Sequence, residues 1–148
     1  MSGQFEATTE INRPVEEVFA YLAAGTNDPD FSPRVQTITK TPEGPTAVGT
    51  VFTSTVKDAG MKTGRKFRIT EFEPSRRIRW AEISKNTVMA AEGGYDFEST
   101  GAGTTRVRIF NVLEGHGIGK LLVGFALSAA RKDADAFGRR IKAAVEAS

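Results

Sequence analysis

IGKLLVGFALSAARKDADAFGRRIKAAVEA, residues 118–147, contains no proline and repeats its apolar residues at steps of three and four. This spacing is typical of an amphipathic helix. At about 1.5 Å per residue, such a helix is roughly 45 Å long, which is enough to cross a whole sheet. We therefore predict one long C-terminal helix that lies across a curved sheet. The residues expected to face that sheet are Ile118, Leu122, Phe125, Ala129, Phe137, Ile141 and Val145.

The residues before this helix alternate between apolar and polar side chains, which is the period of a half-buried strand. Residues 4–11 predict the first strand. A short helix follows in residues 12–25, with Asn12 as a possible cap and Pro14 in its first turn. Residues 26–33 predict a turn or one short helical piece. Six more strands at roughly ten-residue spacing predict an antiparallel meander; they are residues 35–41, 50–57, 65–74, 76–84, 87–100 and 104–115, with a break at 58–64.

Length and composition predict one globular domain over residues 1–148. Apolar residues make up 39% and charged residues 26% of the chain, as in soluble domains. The absence of cysteine excludes disulfides, thiolate metal sites and thiol nucleophiles, and it suits a reducing cytoplasm. No signal sequence or membrane span is apparent, so we expect a cytoplasmic protein without stable membrane insertion. The basic clusters alternate with acids and the net charge is +2, so we expect no nucleic-acid partner.

The segment GHGIGK, residues 115–120, superficially resembles a phosphate-binding loop. A P-loop would need glycine at Glu114 and serine or threonine at Leu121. The glycines therefore predict a hinge from the last strand into the helix, and we expect no cofactor. His116 is the natural general acid or base if there is one, but a histidine between glycines is also often simply exposed. One histidine without cysteines makes a metal site improbable, and we expect none.

Several segments together resemble the START-like superfamily with the helix-grip fold, and most of all the bacterial polyketide cyclase/dehydrase group of SRPBCC proteins. The segments are EINRPVEEVFAYLAAGTNDPDFSP, AVGTVF, EFEPSRRIRW, YDFESTGAGTTRVR and FGRRIKAAVEA, in this order. The resemblance implies an α+β fold, in which a seven-stranded curved antiparallel sheet surrounds the long C-terminal helix and short helices follow strand one. It also implies an elongated cavity between sheet and helix that takes an apolar ligand.

Strand parity selects the residues expected to line such a cavity. Phe67, Trp80 and Tyr95 fall on the apolar faces of consecutive strands, where plain core packing is the alternative to ligand binding. Polar residues share this parity, and Arg65 could pair with Glu82 or bind a carboxylate of a ligand. A bulge or a strand end would instead turn these polar residues outward. Residues in the polar set are Arg65, Glu71, Glu82 and Asn111; the helix would add Ile118, Leu122 and Phe125.

Three functions remain open at this point. The first is binding of a small hydrophobic or amphipathic molecule, such as a lipid, an aromatic metabolite or a polyketide. The second is a polyketide cyclase/dehydrase-like enzyme that acts by proton transfer in the same cavity, with His116 and Glu82 as the catalytic candidates. The third is an interaction module whose cavity is residual. The sequence does not identify the ligand or the oligomeric state.

Overall fold

The computed structural model describes residues 2–58 and 60–148, and its main feature is one seven-stranded antiparallel sheet. The elements are β1 (Ser2–Ile11), α1 (Val15–Ala23), β2 (Val35–Thr41), β3 (Val51–Asp58), β4 (Met61–Glu73), β5 (Arg77–Glu82), β6 (Val88–Gly101), β7 (Thr104–Gly115) and α2 (Gly119–Ala147). A short 3₁₀ turn at Asp28–Asp30 follows α1. The strand order across the sheet is β1-β7-β6-β5-β4-β3-β2.

The predicted strands and helices are confirmed, with two local corrections. Strand β4 begins at Met61, so most of the break predicted over residues 58–64 belongs to a strand. Ala59, also in that predicted break, lies outside the described residues. Helix α1 begins after Pro14, and no side chain caps it. The expectation that Asn12 caps this helix is therefore wrong; its backbone N–H donates to Glu146 instead.

Bulges bend the sheet, and one of them overturns a parity prediction. The β4–β5 register shifts between Ile69 and Glu71. Beyond the shift, Glu71 pairs with Arg79 and its carboxylate accepts a hydrogen bond from Arg77 at 3.1 Å. The expectation that Glu71 shares a face with Phe67 and Ile69 is therefore wrong, because a bulge reverses the alternation that follows it.

The concave face of the sheet carries the core, and α2 covers only one side of it. Helix α2 packs mainly on β1 and has fewer contacts with β7 and β6. Its C-terminal half is also held by polar contacts: the Arg140 Nε donates to the Phe31 carbonyl at 3.0 Å. Helix α2 contacts β4 and β5 little, and Phe67 and Trp80 on the concave face of these strands are half-buried rather than buried.

The first half of α2 turns a different face to the sheet than the sequence predicts. The expectation that Ile118, Leu122 and Phe125 meet the sheet is wrong, because these side chains are 64%, 43% and 77% exposed. Ala129 is exposed as well. Val123 and Leu127 are buried in their place. Farther along the helix the prediction holds, since Ile141 and Val145 are buried and Phe137 packs against the core.

On the convex face, arginines of two basic segments, residues 76–79 and 106–108, pair with acids. Arg79 donates to Asp96 at 2.8 Å, and Arg108 donates to the same carboxylate at 2.9 Å and to Glu6. Burial alone would raise the pKa of Asp96, but the hydrogen bonds from both arginines outweigh it and hold that pKa below its usual range. Arg79 and Arg108 therefore pair with acids of the sheet and do not form a phosphate-binding patch.

Candidate ligand-binding cleft

A row of residues across five strands runs along the concave face, from β4 and β5 to β1, where α2 packs. The strand registers place Ile69, Trp80, Gly93, Asn111 and Phe5 side by side in this order. Ile69 is buried, whereas Trp80, Asn111 and Phe5 are half-buried. We call this surface, with the neighbouring Phe67 and Arg65, the concave cleft. Strand parity placed Arg65, Phe67, Trp80 and Asn111 on one face, and the registers confirm that placement.

The indole of Trp80 is fixed at the centre of this row. Its Nε1 donates to the Asn111 Oδ1 at 3.0 Å, and its ring meets the Tyr95 ring edge to face with centroids 5.2 Å apart. The two strands can bring these groups together only because residue 93 has no side chain. A Cβ at Gly93 would lie 2.1 Å from the Asn111 Oδ1 and 2.3 Å from the Trp80 Nε1.

Arg65 and Glu82 form an ion pair at one edge of the cleft, as strand parity suggested. The Arg65 Nη1 lies 2.8 Å from one Glu82 carboxylate oxygen and 3.1 Å from the other, and it also donates to the Val88 carbonyl. The Glu82 side chain is 0% exposed and that of Arg65 is 26% exposed. In the described part of the chain, the Nε and Nη2 of Arg65 make no hydrogen bond.

Glu82 is saturated by other donors. The Ser84 hydroxyl and the Asn86 Nδ2 each donate at 2.7 Å, and the Ala90 backbone N–H donates at 2.9 Å. Four different donors therefore occupy this buried carboxylate and fix its position. In this geometry Glu82 fixes Arg65. Its predicted catalytic role is untested.

Asp28 is a candidate that strand and helix periodicity did not reveal. It lies in the 3₁₀ turn, and burial raises the pKa of its carboxyl to about 7. Tyr95 is buried, and this burial, followed by the charge of Asp28, raises the Tyr95 pKa well above its usual value. The charge of Asp28 thus acts on Tyr95, whose ring packs against that of Trp80. The sequence context of Asp28, Asn-Asp-Pro-Asp, indicates a turn and gives no sign of a raised carboxyl pKa.

His116 lies in the hinge before α2, where its side chain is 56% exposed. Its Nε2 is 3.8 Å from a Glu114 carboxylate oxygen, and its backbone N–H donates to the Thr87 carbonyl at 2.7 Å. Gly117 has a φ of 58°, which confirms the predicted glycine hinge. The side chain of His116 lines an open depression of about 270 Å³ with Ser2, Glu114 and Gly115, rather than the row of residues that forms the cleft floor.

A second open depression, of about 360 Å³, lies by the β2–β3 connection and is lined by Thr26, Ile38, Thr39, Lys40, Glu43 and Gly44. Neither depression is the cavity that the resemblance implies between sheet and helix. Over the described residues there is no cluster of three or more His, Cys, Asp or Glu side chains suited to a metal ion. In the same part of the chain, no helix combines the length and apolar character needed to cross a membrane.

Solved structures with the same fold support the architecture. The Zhui aromatase/cyclase of Streptomyces superposes with a TM-score of 0.76 at 17% identity, over 99% of this chain and 93% of the other. A START superfamily protein of Mycobacterium smegmatis gives 0.70 at 11%, over 97% and 94%. The major latex-like protein 151 of Panax ginseng gives 0.67 at 14%, over 99% and 96%. None of the curated proteins compared with the chain matches it.

The curved seven-stranded sheet and the long C-terminal helix that crosses it define a START-like domain with the helix-grip fold. The family model described as "Polyketide cyclase / dehydrase and lipid transport" matches residues 2–146. The chain belongs to this family.

Proposed function

We propose that this protein binds a small amphipathic molecule, with an apolar body and one acidic or carbonyl group, in the concave cleft. The observation that carries the proposal is the pair of half-buried aromatic side chains, Phe67 and Trp80, beside a guanidinium that Glu82 fixes. Small-molecule sites are typically apolar clefts with a few fixed polar groups. An apolar body lying on these side chains would remove both aromatic faces from water, and burying one such side chain fully is worth about 1.5–3 kcal/mol.

Arg65 supplies the polar end of the proposed site. Its Nη1 is used by Glu82 and by the Val88 carbonyl, which leaves the Nε and Nη2 donors for a ligand. A guanidinium held in this way can bind a carboxylate or a pair of carbonyl oxygens with two parallel hydrogen bonds. The family description supports this chemistry, because lipids and polyketides combine apolar carbon with oxygen groups. The lack of cysteine suits a cytoplasmic site of action.

Trp80 is the only tryptophan of the chain, so its fluorescence reports directly on the cleft. The test is titration of the full chain with anilinonaphthalene sulfonate, an apolar anionic probe, followed by displacement with dodecanoate or dodecanol. We expect saturable quenching of Trp80 and a several-fold preference for dodecanoate over dodecanol. Absence of saturable quenching would overturn the proposal.

Two sets of variants locate the binding. Phe67→Ala should weaken the probe about tenfold, whereas Phe110→Ala should not, because Phe110 lies on the convex face between Arg79 and Arg108. The double variant Arg65→Met with Glu82→Gln removes both charges together and should abolish the preference for dodecanoate. Equal loss of binding in both phenylalanine variants would place the probe elsewhere and contradict the proposal.

Asp28 favours an enzymatic second candidate, in which the cleft moves protons on a bound β-dicarbonyl compound. General acid–base catalysis is most efficient when the pKa of the group is near the working pH, and that of Asp28 is raised to about 7 by burial. The test follows deuterium exchange at the acidic carbon of benzoylacetone by NMR, with and without protein. This candidate predicts acceleration that is lost in Asp28→Asn while probe affinity is kept. Exchange at the same rate in Asp28→Asn as in the parent protein, or no acceleration at all, would leave binding as the function.

A further inference from the structure

The beginning of α2 has an apolar face that points away from the sheet. Leu121 is 76% exposed and Phe125 is 77% exposed, although both are large apolar side chains. At about 100° per residue, they lie on the side of the helix opposite the buried Val123 and Leu127. The members of the exposed apolar face are Ile118, Leu121, Leu122 and Phe125, at the spacing i, i+3, i+4 and i+7.

Basic residues continue this same side of the helix. Lys132 follows Phe125 after two turns, and Arg139 follows Lys132 after two more. Both are exposed, and neither makes an ion pair with another described residue. Asp133 and Glu146 on the same helix are paired with Arg140 and Lys142, so Asp135 is the one acid of α2 that makes no ion pair with a described residue. We call the exposed apolar face together with Lys132 and Arg139 the outer α2 surface.

The excess positive charge of the chain is concentrated on α2. The helix has six basic and three acidic residues, whereas the rest of the chain has fourteen basic and fifteen acidic residues. The net charge of +2 therefore comes from α2 alone, with the remainder of the chain slightly negative. A partner that meets the outer α2 surface should accordingly be apolar and anionic.

We propose that the outer α2 surface docks on an anionic lipid bilayer. The exposed apolar side chains would enter the boundary between headgroups and acyl chains, and Lys132 and Arg139 would lie against the phosphates. A helix with apolar side chains next to basic ones, lying in the plane of the interface, is typical of peripheral membrane binding. A second copy of this chain fits the surface less well, because it would bring a second unpaired Lys132 and Arg139 to the same place. The docking does not depend on what the concave cleft binds.

The experiment is flotation of the full chain with vesicles of phosphatidylcholine containing about 30% phosphatidylserine, compared with vesicles of phosphatidylcholine alone. We expect binding to the anionic vesicles, weaker binding to the neutral ones, and release as salt is added. Leu121→Ser with Phe125→Ser should lower the bound fraction about tenfold, and so should Lys132→Glu with Arg139→Glu.

Matched controls separate this surface from exposed residues elsewhere. Val48→Ser changes a 63% exposed apolar side chain in the β2–β3 connection. Lys66→Glu with Arg68→Glu reverses two exposed charges on β4. Both controls should bind vesicles like the parent protein. The proposal is wrong if the parent protein does not bind, or if the controls lose as much binding as the α2 variants. It is also wrong if light scattering shows a dimer that the variant Leu121→Ser with Phe125→Ser dissociates but that anionic vesicles leave intact. A second copy of the chain would then occupy the surface.

Discussion

Replacing Glu82 by alanine should destabilise the protein by about 3 kcal/mol, at the lower end of the cost of breaking a buried ion pair. The carboxylate is fully buried and accepts hydrogen bonds from Arg65, Ser84, Asn86 and the Ala90 backbone. The Ala90 N–H is buried and would lose its partner, which costs about 1–3 kcal/mol. Arg65 would lose Glu82 as a partner, but it is partly exposed and keeps its hydrogen bond to the Val88 carbonyl. Water would therefore compensate for part of this loss, which should cost about 1 kcal/mol.

The assay is equilibrium urea unfolding, followed by circular dichroism and by Trp80 fluorescence. For a chain of this length, a loss of about 3 kcal/mol in unfolding free energy corresponds, in a thermal melt, to a drop in Tm of roughly 6–12 °C. Glu98→Ala is the matched control, because Glu98 also pairs with an arginine across neighbouring strands, but both side chains are about half exposed or more. Its cost should stay below about 1 kcal/mol. If Glu82→Ala costs no more than Glu98→Ala, the network does not stabilise this part of the sheet and our reasoning about Arg65 fails.

Two further predictions concern the cleft floor and the 3₁₀ turn. Gly93→Ala should destabilise by about 1–3 kcal/mol and shift the Trp80 emission, because the added Cβ has no room; Gly64→Ala, with no atom within 4 Å of its Cβ, should cost nothing in the same urea assay. Burial raises the pKa of Asp28 from its ordinary value of 3.8 to about 7 in the folded state, so the folded protein holds a proton that the unfolded chain releases. Stability should therefore fall as pH rises from about 4 to 7, and Asp28→Asn should be more stable than the parent at pH 8 but not at about pH 4.5. Asp135→Asn replaces an exposed acid of α2 and is the control. If Asp28→Asn gains no more stability over the parent between about pH 4.5 and pH 8 than this control does, the raised pKa of Asp28 is wrong.

Strand alternation predicted the sheet and much of the cleft, because one buried face fixes the side-chain parity of each strand. That parity placed Arg65 on the same face as Glu82, and the two side chains are paired. It failed at Glu71, because the bulge after Ile69 turns the following residues over. Asp28 could not be found in this way, since the rest of the fold, rather than its neighbours in sequence, buries its carboxyl and raises its pKa.

The face of α2 that meets the sheet shows where periodicity stops being informative. The first half of the helix has two apolar faces, and spacing at three and four residues describes both of them equally well. Two glycines distinguish the faces in the structure, because a helix can approach a neighbouring backbone most closely where it has no side chain. A Cβ at Gly119 would lie 1.8 Å from the Thr87 carbonyl oxygen, and one at Gly138 would lie 3.4 Å from that of Thr8. Both glycines lie on the side of Val123, which leaves Phe125 on the outside, but Gly124 has no atom within 4 Å of its Cβ, so the positions of small residues in the sequence do not identify the buried face by themselves.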